Sequence, residues 1–186
     1  MSNFMRRKNY LNAACVIAVL LISACSSQSP NGQFDPAEEL SAYPRETFGA
    51  AGMQKRYSNA TFLDYSREHG TQIEHLSSDG RAYLWYPGNK RMVVGSWLVR
   101  PNPRVPTVGE ICFQYGPNTF NPVTQQRGGR LNCTTSRAFI IKENEYTRGD
   151  PLNLSSGQIP FVLAKGRKYS LPRIGAQLGQ SVQLYR

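Results

Sequence analysis

Turn-forming residues interrupt this chain every few positions from Thr71 onward, and only short elements fit between them. Ser77-Ser78-Asp79-Gly80 is followed by Pro87-Gly88-Asn89, then by three prolines within 101–109, then by Gly-Pro-Asn at 116–118. Glycine in such pairs accepts the positive φ that hairpin turns require. The segments between them are rich in aromatic and β-branched residues: TQIEHL (71–76), RAYLWY (81–86), MVVGSWLV (92–99), EICFQY (110–115) and RLNCTT (130–135). RAFIIKENEY (137–146) and QIPFVLAKG (158–166) read as a sixth and a seventh strand. The expectation is an all-β, mainly antiparallel fold: a meander curled into a small sandwich or partial barrel, with a flexible N-terminal tether. Helix is expected only at AGMQKRY (51–57) and at Pro36–Leu40, where Asp35 would cap and Pro36 would take the first turn. The tail IGAQLGQSVQLYR is weakly patterned.

Alternation divides the strands by face. Ile73 and His75 share one side of their strand, and Gln72, Glu74 and Leu76 the other. Tyr83 and Trp85 fall together, as do Phe113 and Tyr115, opposite Cys112 and Gln114. One aromatic row is expected to be core, and the other offers a platform for stacking a sugar or another ligand. Gly95 marks a bulge or a close backbone approach.

The first 25 residues carry an address. Arg6, Arg7 and Lys8 precede the apolar run LNAACVIAVLLI (11–22), and small residues lead to Cys25. That is the layout of a signal peptide over residues 1–24, with an apolar run too short for a bilayer of ~30 Å at ~1.5 Å per residue. Ile22-Ser23-Ala24-Cys25 resembles the lipobox of bacterial lipoproteins. The resemblance implies cleavage before Cys25 and acylation of it, and Ser26 after the cysteine implies sorting to the outer membrane, facing the periplasm. An uncleaved anchor, or ordinary cleavage with Cys25 incidental, is the alternative. Residues 25–46 are rich in Ser, Pro, Gly and acids and read as the tether. Residues 47–186 read as one β-rich domain.

In an exported chain Cys112 and Cys133 are expected to form a disulfide, and Cys15 within the apolar run is a small hydrophobe. If their strands are neighbours, the bridge pins the base of the 116–129 loop. Charge is unevenly spread. Residues 25–80 hold four basic and eight acidic side chains, a net of −4, whereas 81–186 hold fifteen and four, a net of +11. Such asymmetry points either to an anionic partner (anionic lipid, lipopolysaccharide or cell wall) or to solvated charge that keeps the protein soluble. Lys165, Arg167 and Lys168 form the densest cluster and are the candidate contacts. They lack the aromatic interleaving of a nucleic-acid surface, so no nucleic-acid partner is expected.

The run GTQIEHLSSDGRAYLWYPGNKRMVVGSWLV, then EICFQYGPN and NPVTQQRGGRLNC, resembles a family of small exported proteobacterial proteins of unknown function, over about residues 70–133. The resemblance implies a compact β domain in the cell envelope and brings no activity with it. Gly95-Ser96-Trp97 also resembles the G-x-W of lipocalins, which implies the alternative of a small-ligand carrier with a barrel interior.

Catalytic patterns are sparse. Glu68, His69, Glu74 and His75 lie close in sequence, but Glu74 and His75 point to opposite faces of a strand, and no HExxH spacing exists. Neither Ser77-Ser78 nor Ser155-Ser156-Gly157 forms a nucleophile elbow, and Gly128-Gly129 lacks the lysine of a phosphate loop. No paired carboxylates are legible among Glu110, Glu143, Glu145 and Asp150. A non-catalytic protein without metal or cofactor is expected: a lipid-anchored envelope protein whose basic β domain contacts an anionic envelope component.

Overall fold

The computed structural model describes residues 36–185. The expected signal peptide, Cys25 and the first part of the expected tether lie outside them, as does Asp35. Seven strands form one antiparallel sheet: β1 (Ala60–Ser66), β2 (Gly70–Leu76), β3 (Arg81–Trp85), β4 (Val93–Pro101), β5 (Gly109–Tyr115), β8 (Asn132–Thr135) and β9 (Glu143–Arg148), in the order β8-β5-β4-β3-β2-β1-β9. A separate hairpin, β6 (Phe120–Asn121) and β7 (Gln126–Arg127), stands on the loop between β5 and β8. The helices are α1 (Pro36–Ser41), α2 (Ala50–Tyr57), α3 (Ser136–Ile140) and α4 (Leu171–Gln177).

The connectivity dictates the curl. β8 and β9 are opposite edges of the sheet, yet only residues 136–142 join them, and five of these are helical. Such a link reaches about 20 Å. Seven strands lying flat would put the edges about 29 Å apart, at ~4.8 Å per strand. The sheet therefore curls into a half-barrel, and α3 bridges its open side.

Strand parity then sorts two cores. Ala60, Phe62, Leu76, Ala82, Trp97, Ile111 and Tyr146 face inward, where α2 inserts Met53 and Tyr57 and α3 contributes Ile140. Leu63, Ile73, Tyr83 and Trp85 face outward and are covered by the chain from Leu152 to Ile174. Trp85 is fully buried there and its indole N–H donates to the Phe161 carbonyl at 2.9 Å. α2 is tied to β9 by a buried ion pair: Arg56 Nη2 lies 2.5 Å from Glu143 Oε1, and the Tyr57 hydroxyl donates to Glu143 Oε2 at 2.7 Å. Arg56 also lies over the Tyr146 ring, 3.9 Å from its centroid.

Cys112 and Cys133 face each other across the β5–β8 ladder and are disulfide-bonded. By chain-entropy reasoning the bridge contributes about 3 kcal/mol and clips the base of the loop that bears β6 and β7. Two expectations about elements fail, and one strand was not foreseen. QIPFVLAKG is not a strand. Its alternating Ile159, Phe161 and Leu163 lie flat against the outer core, so their period reflects packing on a face, not pairing at an edge. RAFIIKENEY is divided between α3 and β9, because the chain must cross from one sheet edge to the other. β1, unread in the sequence, is the strand next to β9. In the tail, Leu171, Ile174 and Leu178 are set on one face of α4 against the outer core. Residues 36–46, assigned to the tether, form α1 and a short turn, and Leu40 and Tyr43 pack against the inner core.

Candidate functional site

α2 fills one end of the half-barrel, and the other end is an open cleft of about 700 Å³. Its floor comes from inward positions of the central strands: Phe62 and Asp64 on β1, Gln72 and Glu74 on β2, Leu84 on β3, Phe113 and Tyr115 on β5. Phe139 and Ile141 close one side. The β6–β7 hairpin supplies the other with Asn121, Gln126 and Arg127.

A carboxylic acid sits at the base. The Tyr115 hydroxyl donates to Glu74 Oε1, although β5 and β2 are separated by β4 and β3. Gly95 makes this reach possible. It pairs with Tyr115 across β4 and β5, and a Cβ there would lie 2.6 Å from the Tyr115 ring carbon Cδ1 and 2.6 Å from the Gln114 carbonyl oxygen. Without a side chain on β4, the phenol ring lies across that strand toward Glu74. The close approach read from the sequence at Gly95 is thus present. Burial pushes the Glu74 carboxyl up to about 7, against the lowering effect of the Tyr115 hydrogen bond. Around neutral pH a substantial fraction of Glu74 is a neutral acid, able to donate a hydrogen bond into the cleft.

A second carboxyl, Asp64, lines the same cleft from β1. Its cross-strand partner is Gln72, two positions from Glu74. Burial raises it, and Lys142 and His69 oppose the rise. Asn144 occupies a register shift between β1 and β9, and its Oδ1 accepts the Tyr65 backbone N–H at 2.7 Å. In the hairpin, Asn121 Oδ1 accepts the backbone N–H groups of Val123 and Thr124 at 3.0 and 3.1 Å, which leaves its amide NH₂ for a ligand. Gln72 has no side-chain hydrogen bond among the described residues. The Phe113 and Tyr115 rings are parallel within 3°, with centroids 6.3 Å apart.

Alternation put each aromatic row on one face without assigning either to the core; Tyr83 is buried and Trp85 fully so in the outer core, whereas Phe113 and Tyr115 line the cleft. The structure brings Glu68, His69 and Glu74 to this cleft. His75 is on the other face, its Nδ1 3.1 Å from the Thr61 hydroxyl and its ring stacked on Tyr83. Burial lowers the His75 pKa, offset by Asp150. Glu110 lies beside the Cys112 and Cys133 sulfurs, which as a disulfide offer no thiolate to a metal. The Asp64–Glu74 arrangement and the Tyr115 link were not read from the sequence. An acid at an inward position of β2, between Gln72 and Leu76, was the signal that pointed to them.

Lys165, Arg167 and Lys168 form an exposed turn in the covering segment. Lys165 runs over Gly88, where a Cβ would meet its Cε at 2.6 Å. Lys168 Nζ lies 5.4 Å over the ring of Tyr65, which packs against the outer core. The basic turn therefore lies on the outer face of the sheet. Comparisons with protein-family models, with curated proteins and with solved structures found no match for this chain.

Proposed function

We propose that this protein is a lipid-anchored binding protein of the bacterial envelope, acylated at Cys25, that holds a small ligand in its half-barrel. The observation that carries the reading is the open cleft of about 700 Å³, whose size falls within the roughly 300–1,000 Å³ of small-molecule sites. Its mixed lining of aromatic rings and uncommitted amides suits recognition more than passive filling. One mass-spectrometric experiment tests both halves. The full-length protein extracted from its native membrane is expected to begin at Cys25 with acyl chains attached, and to release a bound small molecule when denatured. A Gly95→Val variant, which drives Tyr115 off β4 into the cleft, is expected to lose that molecule. An unacylated mass would end the anchor reading, and a ligand-free wild type would end the cleft reading.

A second reading rests on the exposed Lys165, Arg167 and Lys168 of the covering segment: the basic turn contacts an anionic envelope component such as anionic lipid, lipopolysaccharide or cell wall. Sedimentation with vesicles containing phosphatidylglycerol is expected to be salt-sensitive, and to weaken in a Lys165→Glu, Arg167→Glu, Lys168→Glu variant. Binding indifferent to salt and to these changes would overturn it.

A further inference from the structure

We infer that the ligand of the cleft is a short glycan, one or two sugar rings seated on Phe113 and Tyr115 with their hydroxyls on Gln72, Asn121 and Glu74. The inference rests on the ligand-cleft reading and narrows its chemistry. Three observations point the same way. The first is the aromatic pair, parallel within 3° and presented from alternate residues of one strand. Sugar rings carry an apolar C–H face that packs on such surfaces while their edges stay polar.

The second is the distribution of polar groups. The floor mixes apolar Phe62, Leu84 and Phe113 with Glu74, Gln72 and Asp64, so a fatty chain laid over it would cover the three polar groups as well. Under methylenes Gln72 and Asp64 would lose their hydrogen bonds to water, and Glu74 would keep only the one from Tyr115, which costs free energy. A polyol satisfies them. Gln72 and the amide NH₂ of Asn121 are uncommitted among the described residues, and they flank the aromatic pair from β2 and from the hairpin. Thr124, Gln126, Asn132 and Asn144 continue a neutral hydrogen-bonding rim.

The third is charge. Positive Arg127 and Lys142 share the lining with the acids Asp64 and Glu68, so no single sign dominates. A strongly charged small molecule would meet repulsion on one side or the other. A neutral ring in the cleft meets none.

The test is titration calorimetry of the full-length protein in detergent with cellobiose, maltose and N,N′-diacetylchitobiose, and separately with dodecanoate. At least one disaccharide is expected to bind saturably. Its affinity is expected to fall about ten-fold or more in Phe113→Leu, Gln72→Ala and Asn121→Ala. Phe113 also packs against the inner core, so the two polar variants carry the test if Phe113→Leu loses its fold by circular dichroism. Dodecanoate binding with no saccharide binding would overturn the glycan and leave the ligand cleft standing. Saccharide binding unchanged in Gln72→Ala and Asn121→Ala would overturn the site. Binding of none of the four probes would overturn the glycan, while the mass-spectrometric release experiment separately decides the cleft reading.

Discussion

Replacing Arg56 by methionine is expected to destabilise the domain by about 3–5 kcal/mol, the cost of leaving a buried charge without its partner. Glu143 is the group left behind: its side chain is 3 % exposed, and Arg56 and the Tyr57 hydroxyl are its side-chain partners. The same substitution removes the guanidinium from the face of Tyr146, an interaction that in desolvated sites is worth about 2 kcal/mol. A second substitution separates charge from packing. In Arg56→Met with Glu143→Gln, the neutral amide keeps an acceptor for Tyr57, and much of the loss is expected to return. Equilibrium urea unfolding of the single and double variants measures both. Equal losses in the two would mean that Arg56 acts through its contacts with the tyrosine rings and not through the ion pair. Loss of α2 in either variant would carry to the cleft, because Tyr57 supports Phe62 and Phe139 by edge-to-face contacts, with centroids 5.9 and 5.1 Å away.

Glu74→Gln is expected to stabilise the protein in alkaline solution and to do little in acid. The folded Glu74 holds its proton up to about pH 7, raised from an ordinary 4.5 by burial. Between those values the folded state binds more protons than the unfolded one, so wild-type stability falls as pH rises. The full difference amounts to about 3 kcal/mol, reached above pH 7 and absent below about pH 4.5. Glutamine has no such slope and retains an acceptor for Tyr115. Subtracting the two stability curves from pH 4 to pH 8 isolates Glu74 from Asp64, whose upward shift has the same sign. A difference that stays flat across that range would show that Glu74 is solvated in the folded protein.

Much of the sheet was legible because period-two alternation and turn pairs act locally. Strands β2 to β5 and β8 and the pairing of each aromatic row on one face follow from residues within a few positions of one another, whereas the Cys112–Cys133 bridge, across 21 residues, was legible from the pairing expected of two cysteines in an exported chain. The failures share one cause, which is contact over long distances in sequence. QIPFVLAKG alternates like a strand but covers a sheet face, and only the position of Trp85, more than seventy residues earlier, decides between the two. RAFIIKENEY becomes a helix and a strand because β8 and β9 occupy opposite edges. At the site, Glu74 and Gly95 were each noticed separately. Their connection through Tyr115 spans three inter-strand steps, and no local pattern encodes it.

Among the described residues the half-barrel leaves β8 and β9 without a strand on their outer sides, and backbone amides along a free edge invite a second chain to add itself. Each edge is poorly suited to that use. β8 is four residues long and held against β5 by the disulfide. β9 is kinked by the register shift at Asn144, and one of its outer carbonyls, that of Tyr146, accepts the backbone N–H of Tyr185 from the C-terminal tail at 2.8 Å. Irregular pairing and an already occupied acceptor break the even row of hydrogen bonds that a growing fibril copies. The link that curls the sheet and shapes its cleft thus leaves only short or broken edges, and the folded domain resists stacking into larger aggregates at high local concentration.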